Sequence, residues 1–205
     1  MAIRGNPQRI FCEGVKWGDL DAASFEQVVG YFKKRVEICF FAPVKNLLLP
    51  EYKTTGFIVL AVISAVIDIL SQYYYWESGI KHKDKYKKFL RDNFKEFRQP
   101  IALKRLPHVK DLADFFYEGF RCQILHNFML SEYSTLSWKA GLLQVHLWDK
   151  EKSQKEVILN PRLLIEGLEN IFLNYIGGLL DKKNSRLRAG FARKLFIDTG
   201  VKLRI

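Results

Sequence analysis

The chain has 205 residues, 48% of them hydrophobic and 27% charged, with a formal net charge of +11 at pH 7. That length supports one substantial core, or one core with a small appendage, and the balance excludes a disordered chain. The positive excess points to an anionic partner (nucleic acid, a membrane surface or an acidic protein), with a basic surface serving only solubility as the plain alternative.

The N-terminal MAIRGNPQRIF lacks the apolar stretch of a signal peptide. The three cysteines, Cys12, Cys39 and Cys122, include no Cys-x-x-Cys pair, so neither a zinc knuckle nor a redox motif is indicated. Reduced thiols in a cytoplasmic protein are the expectation.

Asp21 or Ser24 is placed to cap a first helix through FEQVVGYFKKRVEICFF. Phe25, Val28, Val29, Phe32, Val36 and Phe40 recur near helical period and define its buried face. Pro43 and Pro50 bracket a connector, VKNLLL. The apolar run FIVLAVISAVIDIL, Phe57–Leu70, carries Ser64 and Asp68 and has fourteen residues. A membrane span needs about 20, and an intramembrane aspartate costs about 2.5–3.5 kcal/mol on insertion scales. A buried central helix is therefore preferred to a membrane anchor over Phe57–Trp76 flanked by basic residues. Asp68 is then expected to be buried with a polar or cationic partner, Arg121 being one option.

Between Lys81 and Arg98, eight Lys and Arg stand against three acidic residues. Phe89, Leu90, Phe94 and Phe97 give that stretch an apolar edge, predicting an amphipathic helix that stops before Pro100. A fourth helix is predicted from about Lys110 to Tyr133. The period then changes: in GLLQVHLWD, Leu143, Val145 and Leu147 alternate with Gln144, His146 and Trp148. KEKSQK reads as a turn and EVILN as the returning strand, making a β-hairpin at about 141–160. Asn160-Pro161 opens a fifth helix, RLLIEGLENIFLNYIGGLL. The last stretch, from Asp181, has eight Lys and Arg against two Asp. The predicted fold is mainly α, a helical bundle with one inserted β-hairpin. Residues 1–50 form an N-terminal helical extension, 51–183 the central domain, and 184–205 a basic C-terminal segment.

The chain lacks Gly-x-x-x-x-Gly-Lys, Gly-x-Gly-x-x-Gly, Gly-x-Ser-x-Gly and His-Glu-x-x-His. Cys122 and His126 lie one helical turn apart, but no further ligands are nominated, so no metal and no cofactor are expected. Of the four histidines, only His126 lies inside an apolar helix, FYEGFRCQILHNFM, with a cation, Arg121, close by. The plain reading is a buried, hydrogen-bonded His with Arg121 at the surface or paired to Asp114 or Glu118. Regular helical geometry separates positions 121 and 126 by about 140°, so the two meet either by a swing of the Arg side chain or across the two-fold axis of a dimer. Gly119, Cys122 and His126 form a small-residue strip suited to such an interface.

Arg121-Cys-Gln-Ile-Leu-His126 resembles the Arg-x4-6-His signature of the HEPN superfamily. VISAVIDILSQYY and the hairpin followed by Asn160-Pro161-x-x-Leu164 resemble segments of bacterial HEPN-like proteins, over roughly Glu51–Leu180. The resemblance implies a metal-independent endoribonuclease that acts as a homodimer, often in toxin–antitoxin or antiviral defence systems with a neutralising protein partner. It also implies Arg121 and His126 as catalytic residues. Cys122 stands where a polar residue is common, which favours the alternative of a non-catalytic RNA-binding or dimerisation module. Asn127 and Asp68 are supporting candidates. Lys182, Lys183, Arg186 and Arg188 are the candidate RNA-binding cations.

Overall fold

A computed structural model of the chain describes residues 8–48, 55–77, 79–103, 105–127, 129–149 and 154–203. Two short strands, β1 (Ile10–Cys12) and β2 (Val15–Lys16), pair antiparallel through a turn in which Gly14 has φ 76°. After a single helical turn, α1 (Asp19–Ala22), Ser24 caps α2 (Phe25–Val36). Its hydroxyl accepts from Gln27 N–H while the Gln27 side chain accepts from Ser24 N–H, a reciprocal pair that satisfies two orphan donors.

The helix then widens. Glu37–Phe41 is π-helical and runs directly into α3 (Ala42–Leu47). A π turn places one extra residue in the circuit, so the apolar phase slips by one: Phe41 is buried, whereas Phe40, predicted for that face, is half-buried. The widened turn also sits just before Pro43, whose ring would clash with the preceding carbonyl in a regular helix. Pro50 lies outside the described residues.

The long apolar run is α4 (Gly56–Tyr74), which touches α3, α5 (His82–Asn93), α7 (Gln123–Asn127), α8 (Pro161–Leu180) and α9 (Ser185–Thr199). Val59, Leu60, Ile63, Val66, Ile67 and Leu70 are buried along it. Both α4 and α8 are long and apolar enough to cross a membrane. Here α4 forms the centre of a bundle. Phe32 of α2 packs on Tyr73, Phe172 and Phe191, so the N-terminal segment enters the same core as α4, α8 and α9.

The basic amphipathic helix stops earlier than predicted. Phe94 is extended, Asn93 donates to Phe89 C=O at 2.8 Å, and Lys95–Arg98 forms a separate 3-10 turn. Phe89, Leu90, Phe94 and Phe97 are buried as the pattern requires. The predicted fourth helix is α6 (Leu112–Phe115), a π-helical stretch Phe116–Cys122, and α7. It ends at Asn127 rather than Tyr133, because the chain turns back and Ser131 N–H and Ser134 Oγ donate to Gly119 C=O.

Strand β4 (Leu143–Asp149) and strand β5 (Gln154–Leu159) make the expected antiparallel hairpin, its turn at 150–153 lying outside the described residues. Strand β3 (Ser134–Leu136), not predicted, adds to β5 in parallel and gives the order β3-β5-β4. Asn160, buried, then starts α8: its side-chain oxygen accepts from Arg162 and Leu163 N–H, and its amide donates to Trp138 and Ala140 C=O. The basic C-terminal segment is itself a helix, α9, closed by Gly200 at φ 78°. The protein is a mainly α bundle with small β elements.

Candidate functional site

The helix bearing Arg121 is anchored about two turns earlier by a nearly buried ion cluster. Asp114 is 6% exposed and accepts from Lys87 at 2.8 Å and Arg91 at 2.9 Å. It also accepts from Lys110 N–H, while Arg91 forks onto Asp111 at 2.7 and 3.0 Å. Burial raises the Asp114 pKa, but Lys87, Lys110 N–H and Arg91 outweigh it and hold the carboxyl below its usual range. One turn on, Glu118 pairs with Lys83 at 2.6 Å, an interaction that raises the Lys83 pKa. Two of the carboxylates proposed for Arg121 on sequence grounds, Asp114 and Glu118, thus belong to other cations.

Arg121 lies in the π-helical stretch and is half-buried. Its guanidinium stands over the Tyr117 ring, 5.2 Å from the centroid, and Nη1 approaches the Cys122 sulfur at 3.9 Å. Its Nε is buried without a hydrogen-bond partner. Burial acts to lower its pKa, but the Cys122 sulfur, Tyr117 and Asp68 together hold it above the ordinary value. Asp68 is half-buried rather than buried. It is close enough to bear on both Arg121 and Tyr86, yet its carboxylate makes no ion pair among the described residues.

Tyr86, from α5, completes the cluster. It is fully buried, stacks on Phe116 at 6.3 Å and meets Tyr117 edge-on at 5.3 Å. Burial drives its pKa far up, while neighbouring Ser64 and Arg121 act in the other direction. The Tyr86 and Ser64 hydroxyls lie near each other yet neither has a full hydrogen-bond partner. So three of the four buried, unpartnered polar side-chain atoms among the described residues belong to Ser64, Tyr86 and Arg121, with Tyr86 close to both of the others. Sequence reading missed Tyr86, Ser64 and Tyr117; only Tyr117, four residues before Arg121, carried a local signal.

His126 is exposed in the last turn of α7, not buried as its apolar neighbours implied, and no hydrogen bond joins it to Arg121. Asn127 is exposed and donates to Gln123 at 2.7 Å. Gly119 is buried within its own chain, and a Cβ there would meet the Phe115 ring at 2.8 Å, so the Gly119 end of the small-residue strip is covered internally. Lys182, Lys183 and Arg186 are exposed. Arg188 is buried: it stacks on Phe25 at 3.9 Å, pairs with Glu26 at 3.0 Å and donates to Leu179 C=O at 2.9 Å. Its guanidinium is occupied in joining α9 to α2. Among the described residues no three His, Cys, Asp or Glu gather as metal ligands.

No family model matches the chain, and no match is found among curated proteins or solved structures. Fold and site define a mainly α bundle carrying a half-buried arginine that makes no ion pair among the described residues, with an exposed histidine five residues further along the chain.

Proposed function

We propose that the chain is a metal-independent endoribonuclease of HEPN type, working as a homodimer in the cytoplasm with RNA as substrate. The observation that carries the reading is Arg121, a fixed cation in a π-helical turn without a carboxylate partner among the described residues. Asp114 is taken by Lys87 and Arg91 and Glu118 by Lys83, while Asp68 acts on Arg121 without forming an ion pair among the described residues. Such a guanidinium retains donors for an incoming phosphate. π-Helical turns also occur frequently at functional sites.

RNA supplies its own nucleophile. The 2′-OH attacks the adjacent phosphorus and the bond to the 5′-oxygen breaks, leaving a 2′,3′-cyclic phosphate. A base must take the 2′-OH proton and an acid must return one to the leaving oxygen. An imidazole does both near neutral pH, which assigns His126. Arg121 stabilises the charge on the phosphorane. Arg121 is half-buried, His126 is exposed and no hydrogen bond joins them, so a second copy is the simplest way to bring the two to one phosphate. A role as toxin or defence effector with a neutralising partner follows from the HEPN resemblance alone.

The second reading is a non-catalytic RNA-binding or dimerisation module. It is favoured by the position of Cys122, whose sulfur, not an imidazole, is the polar atom against Arg121.

The test is cleavage of RNA by the purified protein in EDTA, with the product ends identified. His126→Ala is expected to lose about 10²–10⁴ in rate, and Arg121→Ala about 10²–10³, both with unchanged far-UV spectra. Undiminished cutting by well-folded His126→Ala protein rejects the assignment. Wild-type protein that cuts no RNA transfers support to the module.

A further inference from the structure

A different surface combines aromatic rings with cations. The end of α4, one side of α5 and the start of α9 enclose a cavity of about 580 Å³, within the range of small-ligand sites. Tyr75 and Trp76 form one wall, and Lys88, Lys183 and Arg186 stand around it. We propose that this cleft holds one unpaired nucleotide of a single-stranded RNA, its base against Tyr75 and Trp76 and its flanking phosphates on the three cations. The choice of RNA over DNA rests on the ribonuclease reading; the binding chemistry does not.

The rings are fixed in place. A Cβ at Gly190 would lie 2.1 Å from the Trp76 indole nitrogen, so the indole edge rests directly on the α9 backbone. The Tyr75 hydroxyl donates to Asp92 at 2.6 Å, orienting that ring. Lys88 lies 4.9 Å from the Tyr75 centroid and Arg193 5.4 Å from that of Trp76. A pre-ordered platform of this kind stacks a base of any sequence, because every base offers a π face.

The cations are available. Lys88 pairs with Asp92 and Arg186 with Glu77, but the side chains of both pairs are about half exposed or more, and such pairs contribute little. The Lys183 ammonium makes no ion pair among the described residues. Exchanging Asp92 and Glu77 for phosphate oxygens therefore loses little, and the net charge of +11 draws a polyanion in from a distance. An anion alone would have no use for the rings, and an apolar ligand none for the cations. Only an unpaired base is free to stack, which selects single strand over duplex.

Fluorescence anisotropy with a labelled 2′-deoxy strand of about ten nucleotides tests the proposal. That probe lacks the 2′-OH and is not cut, so binding is read whether or not the chain is a ribonuclease, and the two readings fail separately. A strand of the same length with abasic sites is expected to bind about tenfold more weakly. The Lys88→Ala, Lys183→Ala, Arg186→Ala triple variant should also lose about tenfold and flatten the log–log salt dependence by about 2. Trp76→Leu should bring the unmodified strand most of the way to the abasic level and leave abasic binding unchanged, an outcome that mere loosening of the fold would not produce. Equal affinity for abasic and unmodified strands overturns the proposal without any variant. So does wild-type affinity and salt slope in the triple variant, or displacement of the strand by an equal concentration of mononucleotide.

Discussion

Replacing Asp114 by alanine removes the acceptor that Lys87 and Arg91 share two residues before the Arg121 helix widens at Phe116. The two cations are affected unequally. Arg91 has a side chain 33% exposed and keeps its fork onto Asp111, so its loss is on the order of 0–1 kcal/mol. The Lys87 side chain is only 10% exposed and has no other carboxylate partner among the described residues. Breaking a buried pair from one side costs about 3–5 kcal/mol. The Tyr117 ring, 5.5 Å from the ammonium, returns part of this, about 0.5–1 kcal/mol. The expected loss is about 3 kcal/mol. For a chain of this length it lowers Tm by roughly 6–12 °C. Urea unfolding at pH 7 reads the value directly. The pH dependence has a definite sign. Because the folded carboxyl titrates below its usual range, its contribution is complete above the ordinary aspartate value of about 3.9 and is lost as pH falls through the lower, folded value. The gap between wild type and Asp114→Ala should stay constant from neutral pH to about 5 and close below about 4. Adding Lys87→Met should recover most of the loss, since an apolar pair of similar volume replaces the ions. A single-variant loss under about 1 kcal/mol, or a gap that widens on acidification, would refute the reasoning.

Gly190→Ala should destabilise the protein by about 1–3 kcal/mol in thermal unfolding, because the added methyl would lie 2.1 Å from the Trp76 nitrogen and the indole is packed against α9. Light scattering at tens of micromolar should return twice the 24.0 kDa chain mass; a monomer at that concentration removes the two-copy site on which the pairing of Arg121 with His126 depends.

Long elements with strong local signals were legible in the sequence. The N-cap, offered as Asp21 or Ser24 and found at Ser24, the apolar run of α4 and Asn160-Pro161 at the head of α8 each carry their own cap or length. What escaped was set by tertiary structure. No local pattern announces the π turn at Glu37–Phe41, which moves burial from Phe40 to Phe41. Phe94 breaks its helix to reach the core, where its ring fills the space over Gly167. β3 is three residues long and exists because β5 offers it an edge. At the site, the Arg121–Tyr117 contact is a one-turn neighbour and readable. The pairing of Glu118 with Lys83 and Asp114 with Lys87 crosses elements, and it is this pairing that takes the two sequence-neighbouring carboxylates away from Arg121. Arg188 shows the converse: a cation in a basic run reads as surface, yet stacking on Phe25 and pairing with Glu26 draw it inside.

The two polar clusters on this helix have opposite energetics. Around Asp114 every buried charge has partners, and the cluster fastens α6 to α5. About two turns later the hydroxyls of Ser64 and Tyr86, brought in from α4 and α5, and the Nε of Arg121 are buried without a full hydrogen-bond partner. Each such group costs about 1–3 kcal/mol relative to a satisfied one. A fold tolerates such a cost only where its surroundings over-determine it. Here the surroundings are the Asp114 cluster and the rings of Tyr86, Phe116, Phe97 and Phe120, which lie 5.4–6.3 Å apart along the stack. Those rings fix the helix whether or not Arg121 finds a partner, so its orientation is set before any ligand arrives. A phosphate reaching the exposed edge of that guanidinium would meet a cation already oriented, and would therefore pay less ordering entropy than at a free surface arginine.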